Sequence, residues 1–213
     1  MRRIFLLALV LSPLAGCNGL AFCGYLFAPE ERERTVEAEF GRFPARRVAV
    51  VVFTHPGVDF AHPRARIDLS NAIAYDLQQN IPDIKMVPAD RVLKYQRENP
   101  AWDALPRREL ARLLGADYVI HLGLEEYSMA DQNSGLFRAI ITADVNVYSA
   151  AVPDAALTPE TPEWTGRFRV IYPDDTGRAK VGTDDRAARG EAHAVFAKLL
   201  GRKFYQHKVK GGE

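Results

Sequence analysis

Three observations predict an α/β fold of the α+β kind: a mixed sheet of about five strands with helices packed on it. The first is Arg47–Thr54 (RVAVVVFT), a continuous run rich in β-branched residues, which marks a central strand buried on both faces. The second is the stretch Glu109–Tyr127. There Leu110, Leu113 and Leu114 form a helical stripe that passes through Gly115 into Tyr118, Ile120, Leu122 and Leu124 at period two. Gly115 falls where a helix C-cap wants a residue tolerant of positive φ. The third is the succession of elements, β-α-β-α-α-β-β-β-α, in which strands separated by helices give way to a run of strands and a closing helix.

Arg47–Thr54 is the first strand of the domain. Pro56, Gly57 and Pro63 break the following segment, so residues 54–63 read as a loop. A helix then runs from Ala65 to Gln79 with Leu69, Ile73 and Leu77 inward, and Ile81-Pro82 stops it. Ile84–Val87 is a short strand. Ala89–Arg97 is a second helix, with Val92 and Tyr95 inward, and Asn99-Pro100 ends it. Pro106 starts the third helix, at the position where a missing N–H costs nothing. After the strand that follows Gly115, Phe137–Ser149 alternates: Phe137, Ala139, Ile141, Ala143, Val145 and Val147 face one way and polar residues the other. Trp164, Gly166, Phe168, Val170 and Tyr172 make the inward face of the last strand. Thr183 caps a final helix, Asp184 and Asp185 suit its dipole, and Ala188, Ala192, Val195, Phe196 and Leu199 form its buried stripe.

The 213 residues are 47% hydrophobic and 26% charged, which suits one ordinary core and excludes compositional disorder. A formal charge of +1 gives no reason to expect nucleic acid as a partner. The two cysteines, Cys17 and Cys23, both lie near the N-terminus, so no disulfide framework holds the fold.

Arg2 and Arg3, the apolar run Ile4–Leu11 and the break at Ser12-Pro13 make a targeting segment. Leu14-Ala15-Gly16-Cys17 resembles the lipobox of bacterial lipoproteins. That resemblance implies a signal peptide over 1–16, cleavage before Cys17, and acyl chains such as palmitate on Cys17. It also implies a lipidated anchor and tether over 17–44. The rule associated with that family, in which Asp after the cysteine retains the protein in the inner membrane, places Asn18 with outer-membrane proteins facing the periplasm. The competing reading is an uncleaved spanning helix over 4–28, in which Pro13, Gly16, Gly19 and Gly24 sit badly. Residues 45–206 form a single α/β domain. Val36, Ala38 and Phe40 alternate with charged residues and suit a short strand docked on the sheet edge, and 207–213 read as a frayed tail.

Val48-Ala49-Val50-Val51-Val52-Phe53 and the joint Leu110-Ala111-Arg112-Leu113-Leu114-Gly115-Ala116-Asp117-Tyr118-Val119, taken with the element order, resemble the periplasmic α/β domain of two groups. These are the curli secretion channel lipoproteins and the penicillin-binding-protein activator lipoproteins. The resemblance implies a fold and an envelope location; it departs from the channel formers in showing no pair of long amphipathic hairpins.

The loop 54–63 follows the carboxyl end of the first strand, where open α/β sheets bind ligands. His55, Asp59 and His62 on it are chemically competent ligands, yet no HExxH or paired Cys/His spacing accompanies them, so no metal site is assigned. Other histidines would have to come from far away, His121 in a strand and His193 in the last helix. His121 reads as a core histidine with one hydrogen bond, and Trp102 as a core plug. Glu125 and Glu126 point to opposite faces of a strand unless a bulge intervenes. No glycine pattern fits a nucleotide phosphate, and no serine lies in a GxSxG turn. The expectation is therefore a membrane-anchored envelope lipoprotein without enzymatic activity or cofactor, binding another envelope protein as scaffold or assembly factor. The alternative is a small-ligand-binding or sensing module that uses the 54–63 loop.

Overall fold

The computed structural model describes residues 33–129, 137–151, 160–174 and 185–209. In chain order they form β1 (Arg34–Val36), β2 (Arg47–Phe53), α1 (Pro56–Ala61), α2 (Ala65–Asn80), β3 (Lys85–Met86), α3 (Ala89–Glu98), a 3₁₀ turn (Trp102–Ala104), α4 (Arg107–Leu114), β4 (Tyr118–Ser128), β5 (Ala139–Ser149), β6 (Trp164–Tyr172), α5 (Asp185–Gly201) and β7 (His207–Val209). The lipobox, Cys17 and the spanning-helix alternative lie outside the described residues, as do Thr183 and Asp184.

Five strands in the order β3-β2-β4-β5-β6 build the mixed sheet. β2 pairs in parallel with β3 and β4, and β4-β5 and β5-β6 are antiparallel. Strands β2, β4 and β6 therefore run the same way. Helices α2 and α5 follow β2 and β6 and return against them, so both begin at the carboxyl edge of the sheet. Val48, Val50, Val52, Ile120, Leu122, Leu124, Val145 and Val147 turn to the layer under α2 and α5, joined by Leu69, Ile73, Leu77, Ala192 and Phe196. Ala49, Val51 and Val119 turn to the other face, against Val92, Trp102, Leu110, Ala111 and Leu114. Each large apolar side chain so buried contributes roughly 1.5–3 kcal/mol, which explains why β2 needs no polar residue between Val48 and Val52.

Gly115 has φ 67°, and its N–H and that of Ala116 donate to Arg112 O (3.0 Å) and Ala111 O (2.9 Å), closing α4 as the sequence predicts. At the other end of α4, the Glu160 carboxylate accepts from the backbone N–H groups of Arg107 (2.6 Å) and Arg108 (2.5 Å). These are amides that no helical carbonyl reaches.

The structure departs from the sequence reading at several places. Residues 56–61 form a helix rather than a loop, because Pro56 occupies its first turn, where its fixed φ helps. Phe40 and Phe43, expected in the tether, are buried core residues packed against Tyr118 and Phe204. The strand expected near Val36–Phe40 on the edge of the main sheet is instead β1, paired with β7 in a separate two-stranded sheet where Lys208 bonds Glu33. Residues 207–209 of the expected frayed tail are thus a strand. Leu113 is 50% exposed, Val195 43% and Leu199 37%; the buried faces are carried by Leu110, Ala111 and Leu114 in α4 and by Ala192, His193, Phe196, Ala197 and Leu200 in α5. Within each helix, three or four leucine or valine positions fall on adjoining angles, and only the neighbouring elements decide which become interior.

Candidate functional site

The segment 54–63 does not gather its three candidate ligands. Asp59 is bound by Arg66, whose Nε donates to Oδ1 at 2.9 Å and whose Nη2 reaches Oδ2, and it also accepts from Thr54 Oγ1. This carboxylate locks α1 to the end of β2 and the start of α2. His55 is exposed, its ring edge-on to Phe53 at 5.8 Å. His62 packs edge-on against Tyr127 at 5.1 Å. Among the described residues, no three His, Cys, Asp or Glu side chains come together in a group that could hold a metal ion.

His62 leads instead to a neighbouring cleft. A bulge between Leu124 and Glu126 adds one residue to β4. It turns Tyr127, rather than Glu126, toward the layer under α2 and α5. The Tyr127 hydroxyl shares a buried hydrogen bond of 2.7 Å with His193 Nε2, and the two rings are stacked 6.0 Å apart. Above this pair a cleft of about 820 Å³ opens between the first turns of α2 and α5. Arg64, Asp68, Asn71 and Ala72 line one wall; Arg186, Arg189, Gly190 and His193 line the other. Arg64 Nη2 lies 3.0 Å from Asp68 Oδ1.

The electrostatics of the cleft follow from burial and from these arginines. Burial is the first reason that His62 stays below the usual imidazole range, and Arg189 adds to it. Burial likewise holds His193 down, with Asp68 opposing and Arg189 assisting. Burial pushes the Tyr127 phenol well up, and Asp68 adds to the effect against Arg189. Tyr127 and His193 are thus a neutral hydrogen-bonded pair, and His193 reaches the wall of the cleft.

Of these residues the sequence reading named only His62 and His193, and it did not bring them together. A signal was present. Arg186, Arg189 and His193 recur at helical spacing along the start of α5, and Arg64 stands at the N-cap of α2. Cations are unfavourable at helix N-termini, but Asp68 in the first turn of α2 and Asp185 at the start of α5 offset them, so the signal is a partial one.

On the opposite face of the sheet, the same bulge leaves both Glu125 and Glu126 exposed, side by side after all. They are taken up by ion pairs with Arg167 and Arg169, and Thr142 donates to Glu126 at 3.2 Å. His121, expected as a core histidine with one hydrogen bond, is half-buried, and its buried Nε2 has no hydrogen-bond partner among the described residues. Trp102 is buried, as expected of a core plug.

No family model matches the chain, and no curated protein matches it. Among solved structures it is similar to a PelC dodecamer from Paraburkholderia phytofirmans, at 12% identity, with 82% of this chain and 98% of that one covered and a TM-score of 0.46. It is similar to lipoprotein GNA1162 from Neisseria meningitidis at 13% identity, covering 72% of this chain and 97% of that one, with a TM-score of 0.44. A minor lipoprotein from Acinetobacter baumannii is similar at 10% identity, covering 74% and 90% respectively, with a TM-score of 0.30. At such low identity and superposition, neither function nor cellular location follows from these likenesses. These likenesses do not confirm the resemblance to the curli secretion channel and penicillin-binding-protein activator lipoproteins.

Proposed function

We propose that this chain is a lipid-anchored protein of the bacterial envelope that acts without catalysis, holding a small ligand in the cleft between α2 and α5. The observation that carries the proposal is the cleft itself. Its volume of about 820 Å³ falls in the range of roughly 300–1,000 Å³ common to small-molecule sites, and polar groups from two helices converge on it. It sits at the carboxyl edge of β2 and β4, where α/β sheets hold ligands. The alternative expected from the sequence is thereby moved from the 54–63 loop to the cleft beside His62. The arginine leader, the apolar run and Cys17 support the envelope location, and Asn18 points to the outer membrane.

A fragment screen on the full-length protein in detergent, read by NMR, tests this reading. Hits should cluster on Ala72, Gly190 and His193. Hits confined to other surfaces would overturn it, as would their complete absence.

A protein partner is the second reading, and Phe60 favours it: the ring is 93% exposed on α1. Photo-crosslinking from position 60 in intact cells should give a discrete adduct if this reading holds; no adduct at that position would count against it.

A further inference from the structure

Resting on the ligand-binding reading above, we infer that the cleft takes a small organic anion, with a carboxylate or phosphate group held by Arg64 and Arg189. Among the described residues three guanidinium groups and one carboxylate, Asp68, line the cleft; Asp68 is paired with Arg64, and Arg186 has an interaction of its own. A guanidinium offers five donors in a fixed fork, so Arg64 can keep Asp68 and still meet a second anion. Arg189 forms no ion pair among the described residues, and it lines the cleft on the same helix as His193.

α2 and α5 run in the same direction and begin at the same edge of the sheet, so the positive ends of two helix dipoles meet at the cleft. An N-cap ordinarily carries Ser, Thr, Asp or Asn, and a first turn ordinarily favours acids. Here α2 has Arg64 at its N-cap without any side-chain cap and Asp68 in its first turn, and α5 opens on Asp185 and carries Arg186 and Arg189 in its opening turns. Asp68 offsets Arg64 at one helix end, whereas Arg189 near the other has no ion pair among the described residues. A bound carboxylate or phosphate takes up the donors of Arg189 and the remaining donors of Arg64 in charge-assisted hydrogen bonds. The volume exceeds what a bare inorganic ion needs, which leaves room for an organic body such as a sugar ring resting on Ala72 and Gly190.

The test is titration of the full-length protein in detergent, at low ionic strength, with three matched probes: glucuronate, glucose 6-phosphate and glucose. Binding is followed by calorimetry and by NMR of the cleft residues. The expected result is binding of one or both anionic probes with no detectable binding of glucose. Arg189→Glu should then weaken the anion by about tenfold or more, and Arg97→Glu, an exposed reversal on α3, should leave it unchanged. Arg189 is exposed, so its reversal leaves the core intact; a matching denaturation midpoint verifies this. Glucose binding as tightly as glucuronate would overturn the anion inference and leave the ligand-binding reading standing. Anion binding that both reversals leave unaltered would place the site elsewhere and overturn the inference. If no probe perturbs the cleft while the fragment screen finds neutral hits there, the inference falls alone; if the screen is also empty, both fall.

Discussion

His121 has the most strongly displaced pKa among the histidines of the fold. Burial first, and Arg107 second, hold its imidazole down to about 4, so the folded protein keeps it neutral. The unfolded chain takes up a proton near its ordinary value of about 6.5. Its contribution to stability is therefore complete above about pH 6.5, is lost as the pH falls toward 4, and changes little below that. The loss is at most about 3 kcal/mol. Because Nε2 has no hydrogen-bond partner among the described residues, His121→Leu should cost little at neutral pH and flatten this acid limb. Urea midpoints at pH 7.5 and 4.5 check it, and parallel acid limbs in the two proteins would refute it. His62 and His193, also depressed, leave a residual slope in the variant. Two adjacent leucines give a second test at this scale. Leu114 is 1% exposed and Leu113 50%. Leu114→Ala should cost about 2–5 kcal/mol and Leu113→Ala no more than about 0.5. Equal losses in denaturant unfolding would contradict the way α4 is seated.

Among the elements, α4 depends on a residue far along the chain. Its first amides donate to Glu160, which precedes β6, so a carboxylate from another part of the domain does the work of a local cap. Glu160→Ala should cost roughly 0.5–2 kcal/mol, and Glu160→Gln less, because the amide oxygen still accepts. Indistinguishable unfolding curves for wild type and Glu160→Ala would show that solvent caps α4 equally well. Nothing in the sequence around Pro106 announces this contact, and the same holds for other features that depend on distant partners. Periodicity made the five strands and the four longer helices legible, because a half-buried element repeats its apolar residues every 2 or about 3.6 positions. Gly115 was legible because only a positive φ explains it there. The role of Asp59 was not: its partner Arg66 sits in the next helix, and a carboxylate that joins two elements looks in sequence like one available to a ligand. Nor was the cleft, whose walls come from α2 and α5 and whose His193 bonds a tyrosine turned inward by a bulge that the regular alternation of β4 conceals.

At the scale of the whole molecule, the open question is how the domain is held in the cell. No helix among the described residues is long and apolar enough to cross a membrane. The membrane-directed features are those of the first residues: Arg2-Arg3, the apolar run to Leu11 and Leu14-Ala15-Gly16-Cys17. The lipoprotein reading and the spanning-helix reading differ in what they require of Cys17. Acylation makes it the point of attachment; each buried CH₂ contributes roughly 0.8 kcal/mol, so stable anchoring needs more than one chain. In a spanning helix the thiol is one small apolar residue among many, and serine replaces it at little cost. Cys17→Ser should therefore abolish labelling by a radioactive or clickable fatty acid and leave an unprocessed precursor. Cys23→Ser, which alters the nearby thiol alone, should change neither. Unaltered membrane fractionation of Cys17→Ser, with Met1 still present in both the variant and the wild type, would decide for the spanning helix. The cleft would then belong to a domain held by a protein segment instead of by lipid.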